Sequence, residues 1–366
     1  MPSTKQHSAA TTNGNDAGVF NPKSKALWTF VFIAVSALSI WAVISHTKNF
    51  SLSAFIHFVR HADPFWVSAA LLSMAGFIIF EGLALVTLCR SFGYGKSLGR
   101  GTLYSAADIY FSAITPSATG GQPASAFFMM KDGIPGTLVT VALLANLIMY
   151  TAAIVVLGLF SLLAFPSLLA NFSSFSLALI SFGVLFLLAL LCFFVLLVYK
   201  KGLMRTLCRG AVKFASKLHL VRSPEQTLMR LDGKMENYTK HAAMLGGKGK
   251  TLALVFLFNL LQRICQIAVT PFTYLAEGGS FSEAVRVFFT QTDVTLGAHC
   301  IPIPGAMGVT DYLMLDGFEE LSISNPAFLE LLSRSLSFYI CVIICGIAVL
   351  GGCYGLSKRD KRRNGK

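Results

Sequence analysis

Ionisable side chains sit inside stretches of this chain that are otherwise apolar. The acids are Glu81, Asp108, Asp293 and Asp311, and the bases are Arg263 and Arg334. An acid at bilayer depth costs on the order of 3 kcal/mol on insertion scales, so it marks a pathway, a relay or a paired site. On a helix, Ser105, Asp108, Ser112 and Thr115 fall on one face that leads to Pro116, and Gln291, Thr295 and His299 form a similar strip before Pro302. These residue types suit a polar or proton path, for which Glu81, Asp108, Ser112, Asp293, Asp311 and Arg334 are the candidates.

Each strip ends in a Pro/Gly knot. One is Thr115-Pro116-Ser117-Ala118-Thr119-Gly120-Gly121-Gln122-Pro123 and the other is Pro302-Ile303-Pro304-Gly305-Ala306-Met307-Gly308. Unwound backbone is costly in hydrocarbon and is tolerated only where protein or a water-filled cavity satisfies the freed N–H and C=O groups. A second helical arm that begins at such a knot aims free N–H groups and a positive dipole end at the tip, which favours phosphate or carboxylate. Gly120, Gly121, Gln122, Pro123, Pro304, Gly305 and Gly308 are therefore candidate substrate-binding residues, with Arg263 as a fixed charge for a lipid phosphate. The same arginine could instead neutralise Glu81, Asp108 or Asp293 in a buried pair, and the sequence leaves both roles open.

The elements that carry these residues are membrane helices. Hydrophobic residues make up 54% of the 366, charged residues only 13%, and the mean hydropathy is +0.66. A typical soluble domain is about a quarter charged, so the composition indicates a polytopic membrane protein. Apolar runs near the roughly 20 residues needed to span a bilayer occur at 26–45, 65–89, 136–163, 174–199, 251–276 and 331–356. Two further runs, 102–130 and 284–318, hold the knots. Residues 1–25 read as a disordered cytoplasmic tail, 26–356 as the membrane domain and 357–366 as a basic cytoplasmic tail.

Charge asymmetry sets the sidedness. The 200–250 segment has twelve Lys/Arg against Glu225, Asp232 and Glu236, and the C-terminal tail has six against Asp360, so both are expected inside. Loop 164–173 carries no charge and is expected outside, as is loop 277–283, whereas Arg90, Lys96 and Arg100 place the 90–101 loop inside. Parity then requires 102–130 to begin and end inside, and 284–318 to begin and end outside. The expected fold is all-α: six transmembrane helices plus two opposed re-entrant helical hairpins in an inverted repeat. Transporters built this way bind substrate near the midplane, between the halves.

The 200–250 insert reads as two cytoplasmic or interfacial helices. Lys201, Arg205, Arg209, Lys213 and Lys217 recur every fourth residue, as in a helix lying on anionic headgroups. Ser223-Pro224 then resembles an N-cap followed by proline at the first helical position. The net charge of +13 resides in membrane-proximal loops and signals topology rather than nucleic-acid binding. The eight cysteines show no CxxC spacing and imply neither a metal site nor a disulfide framework.

Enzymatic readings lack their residues. Pro116-Ser117-Ala118 has no following His of the kind membrane lipid phosphatases use, and Gly120-Gly121 without GKS/T is no phosphate loop. Neither a nucleophile nor a metal cluster is apparent, so the chain is not expected to be an enzyme or to need a cofactor.

The run Thr115 to Ala124, together with Pro302-Ile303-Pro304-Gly305-Ala306-Met307-Gly308-Val309-Thr310-Asp311, resembles the paired signatures of the lysylphosphatidylglycerol synthase transmembrane-region (flippase-like) family. The similarity covers about residues 26–356. The chain departs from the pattern at Ala306, where a second glycine is usual, and at Asp311, where glutamate is frequent. No basic residue follows Ala124. In the larger members, the resemblance implies, this module translocates aminoacylated phospholipid while a separate cytoplasmic domain carries out aminoacyl transfer. With the last span ending ten residues before Lys366, translocation is expected here and synthesis is not.

The leading expectation is a lipid flippase of the bacterial cytoplasmic membrane, with both termini cytoplasmic and an anionic or phosphate-bearing lipid as its partner. The alternative is a non-transporting scaffold or accessory subunit for envelope lipid or glycolipid synthesis. A homodimer is left open.

Overall fold

The computed structural model describes residues 62–115, 118–199, 201–217, 238–301, 308–319 and 326–364, together with isolated positions between them. The N-terminal tail, the span read at 26–45, the Ser223-Pro224 cap, Pro116, Ser117, Pro304 and Gly305 lie outside these residues. The described elements are helical, with no strand among them. Five helical stretches are long and apolar enough to cross a membrane: Pro64–Ser91, Gly136–Ala164, Ser174–Val198, Gly249–Ala276 and Pro326–Leu356.

Helix α1 (Pro64–Ser91) starts where Asp63 accepts the Phe65 N–H at 2.9 Å, with proline at the first position. It stops where Gly93 takes φ 89°. α2 (Leu98–Ile114) and α3 (Gly121–Lys131) are short and joined by the first knot. α4 (Gly136–Ala164) leads through a 3-10 turn at Pro166–Asn171 to α5 (Ser174–Tyr199) and the basic helix α6 (Lys201–Lys217). α7 (Gly249–Ala276) follows, then α8 (Phe281–Ala298) and α9 (Val309–Glu319) around the second knot. The chain ends with α10 (Pro326–Arg334), a π-helical stretch (Ser335–Ile340) and α11 (Cys341–Asn364).

Side-chain pairs fix how these helices run. Trp66 stacks on Phe272 and Phe80 on Phe258, so α1 and α7 lie antiparallel. Asn146 faces Asn259 and Tyr150 faces Arg263, so α4 and α7 are parallel. The arms of each knot fold back on one another. At the first, Gln122 at the start of α3 meets Asp108 near the end of α2, while Asp132 just past α3 meets Tyr104 and Arg100. At the second, Gly297 lies against Leu313 and Thr290 against Gly317.

Glycine is required where helices touch backbone to backbone. A Cβ on Gly82 would lie 2.7 Å from the Gly101 carbonyl carbon, and one on Gly183 would lie 2.1 Å from the Leu296 oxygen. These close approaches let α2 pack on α1 and α8 on α5. The apolar core of the second half gathers Ile154, Leu168, Phe172, Ile180, Leu296 and Leu313. Phe175, Phe182, Leu185 and Phe186 leave α5 with an exposed apolar face, as suits a helix in lipid.

The last apolar run, read as one span over 331–356, is composite. Ser335 and Ser337 hydroxyls donate to the carbonyls of Leu331 and Ser333, 2.7 and 2.6 Å away, across the junction into the π stretch. Such back-bonding competes with the main-chain ladder and distorts helices. The π stretch has no counterpart in hydropathy, which is continuous through it.

Candidate functional site

Helix α2 ends at Thr115, whose backbone is extended (φ −114°, ψ 144°). The Thr115 hydroxyl donates to the Phe111 carbonyl at 2.6 Å and accepts the Gly120 N–H at 2.8 Å, so one side chain ties both ends of the break. Ala118 stands at φ 54°, in the left-handed region that favours glycine. Gly121, the first residue of α3, is pressed so tightly on α2 that a Cβ would fall 2.0 Å from both Asp108 Oδ1 and Ser112 Oγ.

Around this clasp lies a buried polar group. Ser112 donates to Asp108 Oδ1 at 3.1 Å and the Gln122 amide to Oδ2 at 2.6 Å. Glu81, on α1, accepts from Ser105 at 3.0 Å and from Gln262, on α7, at 3.1 Å. Asp108 and Glu81 are 7% and 6% exposed, and the two carboxyls are neighbours. Four helices therefore contribute to one hydrogen-bonded set.

Arg263 follows Gln262 and faces the next part of the interior. It is 4% exposed, and its guanidinium lies 4.2 Å from the centre of the Tyr150 ring and 5.5 Å from that of Phe77. Its Nη1 donates to Gln266, and its Nε has no hydrogen-bond partner. Among the described residues no carboxylate lies within 4.0 Å of it. A buried guanidinium without a counterion is costly unless aromatic faces and a ligand compensate. Glu81 feels the Arg263 charge at longer range, without a direct ion pair.

The end of α8, ahead of the second knot, reaches the same Tyr150. His299, at the end of α8, donates from Nδ1 to the Thr295 carbonyl at 2.7 Å, which leaves Nε2 to accept the Tyr150 hydroxyl at 3.3 Å. A cavity of about 10 Å³ beside Arg263 is lined by Ile154, Leu157, Ile267, Thr292 and Thr295. That volume holds at most one water, at the roughly 10–15 Å³ a water requires. The conformation is thus closed around a polar centre.

The remaining candidates lie apart from this centre. Asp311 caps the start of α9 by accepting the Gly308 N–H at 2.9 Å, with Gly308 at φ 80°, and it meets Arg334 Nε at 2.8 Å. Glu330 sits beside this pair. No hydrogen bond or ion pair among the described residues joins it to the Arg263 centre. Asp293 is 1% exposed, and no hydrogen bond or ion pair among the described residues joins it to the Arg263 centre. Pro123 lies exposed in the first turn of α3.

Sequence reasoning passed over Tyr150, Gln262, Gln266 and Glu330. A signal for three of them existed: Gln262, Arg263 and Gln266 crowd one turn of an otherwise apolar span, and Tyr150 is the only tyrosine in α4.

A helical chain with at least five stretches long and apolar enough to cross a membrane, two antiparallel helix pairs around Pro/Gly knots and a buried polar centre is an integral membrane protein. Residues 30–345 match the family described as Lysylphosphatidylglycerol synthase TM region, and the chain belongs to that family. Membership makes it a membrane protein of lipid metabolism or transport. No curated protein matches the chain.

Proposed function

We propose that the chain is a lipid flippase, moving an anionic or phosphate-bearing lipid across the bacterial cytoplasmic membrane. In this reading the α2–α3 and α8–α9 pairs are re-entrant hairpins that enter from opposite faces, with both termini and the 200–250 insert cytoplasmic. The headgroup binds at Arg263, between Gly120 to Pro123 of the first hairpin and Pro304 to Gly308 of the second. Glu81, Asp108 and Ser112 form the polar path on one side, with Asp311 and Arg334 at the far end. Helix α6 rests on anionic headgroups.

One observation carries the reading. Arg263 is a buried cation with no carboxylate within 4.0 Å, held near the middle of α7 by the Tyr150 ring, whose hydroxyl also meets His299 at the end of α8. An envelope scaffold would have no use for such a charge. The cavity beside Arg263 is too small for a headgroup, so transport requires a second, open conformation, as expected where one half moves against the other.

The test is translocation in reconstituted vesicles, followed as the leaflet distribution of labelled phosphatidylglycerol and phosphatidylethanolamine. Arg263→Lys keeps the charge but loses the planar group that stacks on Tyr150 and binds phosphate through two N–H groups. It is expected to translocate at least about tenfold more slowly, equivalent to about 1.4 kcal/mol. Arg286→Lys, at the surface pair with Glu283, is expected to behave like the parent. Translocation no faster than in protein-free vesicles for either lipid would reject the flippase reading.

A further inference from the structure

Asp293 is a carboxyl that the proposed headgroup site does not use. It is 1% exposed, and neither of its oxygens has a hydrogen-bond partner within 3.5 Å, although the Ser161 hydroxyl lies near enough to act on the carboxyl. Thr290, one turn earlier on the same face of α8, is fully buried and its hydroxyl is also unpartnered. Ser161 of α4 stands opposite, 0% exposed, its hydroxyl donating to the Phe289 carbonyl at 3.3 Å.

Nothing in the surrounding elements neutralises this acid. α4, the 3-10 turn and α5 contain no Asp, Glu, Lys, Arg or His; their titratable groups are Tyr150, Cys192 and Tyr199. On α7, Lys250 lies at the opposite end of the helix, Arg263 stacks on Tyr150, and Cys265 and Tyr274 are neutral. On α9, Asp311 is paired with Arg334, Asp316 accepts the Ser173 N–H at 2.8 Å, and Tyr312 and Glu319 add no positive charge. Among the described residues Asp293 has no ion pair.

A lone charge of this kind is not stable in an apolar interior; it acquires a counter-charge or loses its own. Here the helix face offers only oxygens: both from Asp293, the hydroxyls of Thr290 and Ser161, and the Phe289 carbonyl. Oxygen ligands with no nitrogen and no positive charge among them suit a small hard cation.

We propose that Asp293, with Thr290 and Ser161, binds an exchangeable monovalent cation, a proton or an alkali ion, at a site separate from the Arg263 centre. As the ion coupled to lipid movement it rests on the flippase reading; as a binding site it does not.

The experiment measures thermal unfolding of the purified full chain in detergent, with NaCl, KCl or choline chloride at constant ionic strength, across pH 5 to 8. A saturable rise of at least about 3 °C with sodium or potassium over choline, absent in Asp293→Asn, supports the site and identifies an alkali ion. A saturable rise on acidification, indifferent to the salt and absent in Asp293→Asn, supports it and identifies a proton. Asp293→Asn and parent with superimposable profiles in every salt and at every pH overturn it. Should Asp293→Asn not fold, Thr290→Val and Ser161→Ala replace it, and unchanged cation response in both overturns the site. Vesicle assays separate this from the previous reading: absent lipid translocation with the cation response intact removes the flippase and leaves the ion site.

Discussion

Replacing Gly121 by alanine tests the clasp at the first knot. The new methyl would lie 2.0 Å from Asp108 Oδ1, 2.0 Å from Ser112 Oγ and 2.6 Å from the Asp108 main-chain oxygen. The two side-chain atoms can rotate away, but the backbone oxygen belongs to α2 and cannot. The start of α3 must therefore shift outward by close to an ångström, which breaks the 2.6 Å Gln122–Asp108 hydrogen bond. Overpacking of this kind costs about 1–3 kcal/mol, and losing a hydrogen bond to a buried carboxyl costs about 1.5–3 kcal/mol. Alanine regains about 1 kcal/mol of helix propensity over glycine, so the loss prevails at about 1.5–5 kcal/mol. Gly99→Ala is the matched control, since nothing lies within 4 Å of its Cβ position in the same hairpin; it is expected to be neutral or slightly stabilising. Unfolding midpoints in detergent read the difference, and vesicle translocation reads its consequence for the site. Gly121→Ala as stable and as active as Gly99→Ala would refute the close packing from which the clasp is argued.

Two further outcomes follow from the same geometry. Gly183→Ala places a Cβ 2.1 Å from the Leu296 carbonyl oxygen, so it should destabilise the protein by at least about 1–3 kcal/mol, read by thermal unfolding beside Gly202→Ala, whose Cβ position is open. For the 2.8 Å contact between Arg334 and Asp311, Arg334→Gln and Asp311→Asn should each destabilise, and the double variant should lose less than their sum by about 1–3 kcal/mol; strict additivity would show that the pair is not energetically linked.

Much of the fold was legible because hydrophobic length is a strong signal. The reading 65–89 became Pro64–Ser91, 136–163 became Gly136–Ala164 and 251–276 became Gly249–Ala276, each displaced by two residues or fewer at its ends. The first knot was legible too, as a break between α2 and α3 where the sequence has Pro116 and Gly120-Gly121, although proline alone does not end a helix here, since α7 runs through Pro271. Pairing across the interior was not. Gln262 meets Glu81 although 181 residues separate them, and His299 meets Tyr150 across 149; periodicity within one helix carries no information about its neighbour. The π stretch at 335–340 was hidden for a different reason. A hydropathy average is blind to main-chain geometry and to the hydroxyl back-bonds that Ser335 and Ser337 make there. That Arg263 makes no direct ion pair with Glu81, Asp108 or Asp293 could likewise be learned only from coordinates.

The central claim is that the two helix pairs dip into the membrane from opposite faces. Single cysteines in a cysteine-free background, labelled by an impermeant thiol reagent in sealed vesicles of known orientation, test it most directly. Gly99→Cys and Gly133→Cys flank the first pair, and Ser282→Cys and Glu319→Cys flank the second. The account predicts that the first two label from the cytoplasmic face and the last two from the other. Labelling of Gly99→Cys and Gly133→Cys from opposite faces would make the first pair a kinked crossing, and the account would be wrong.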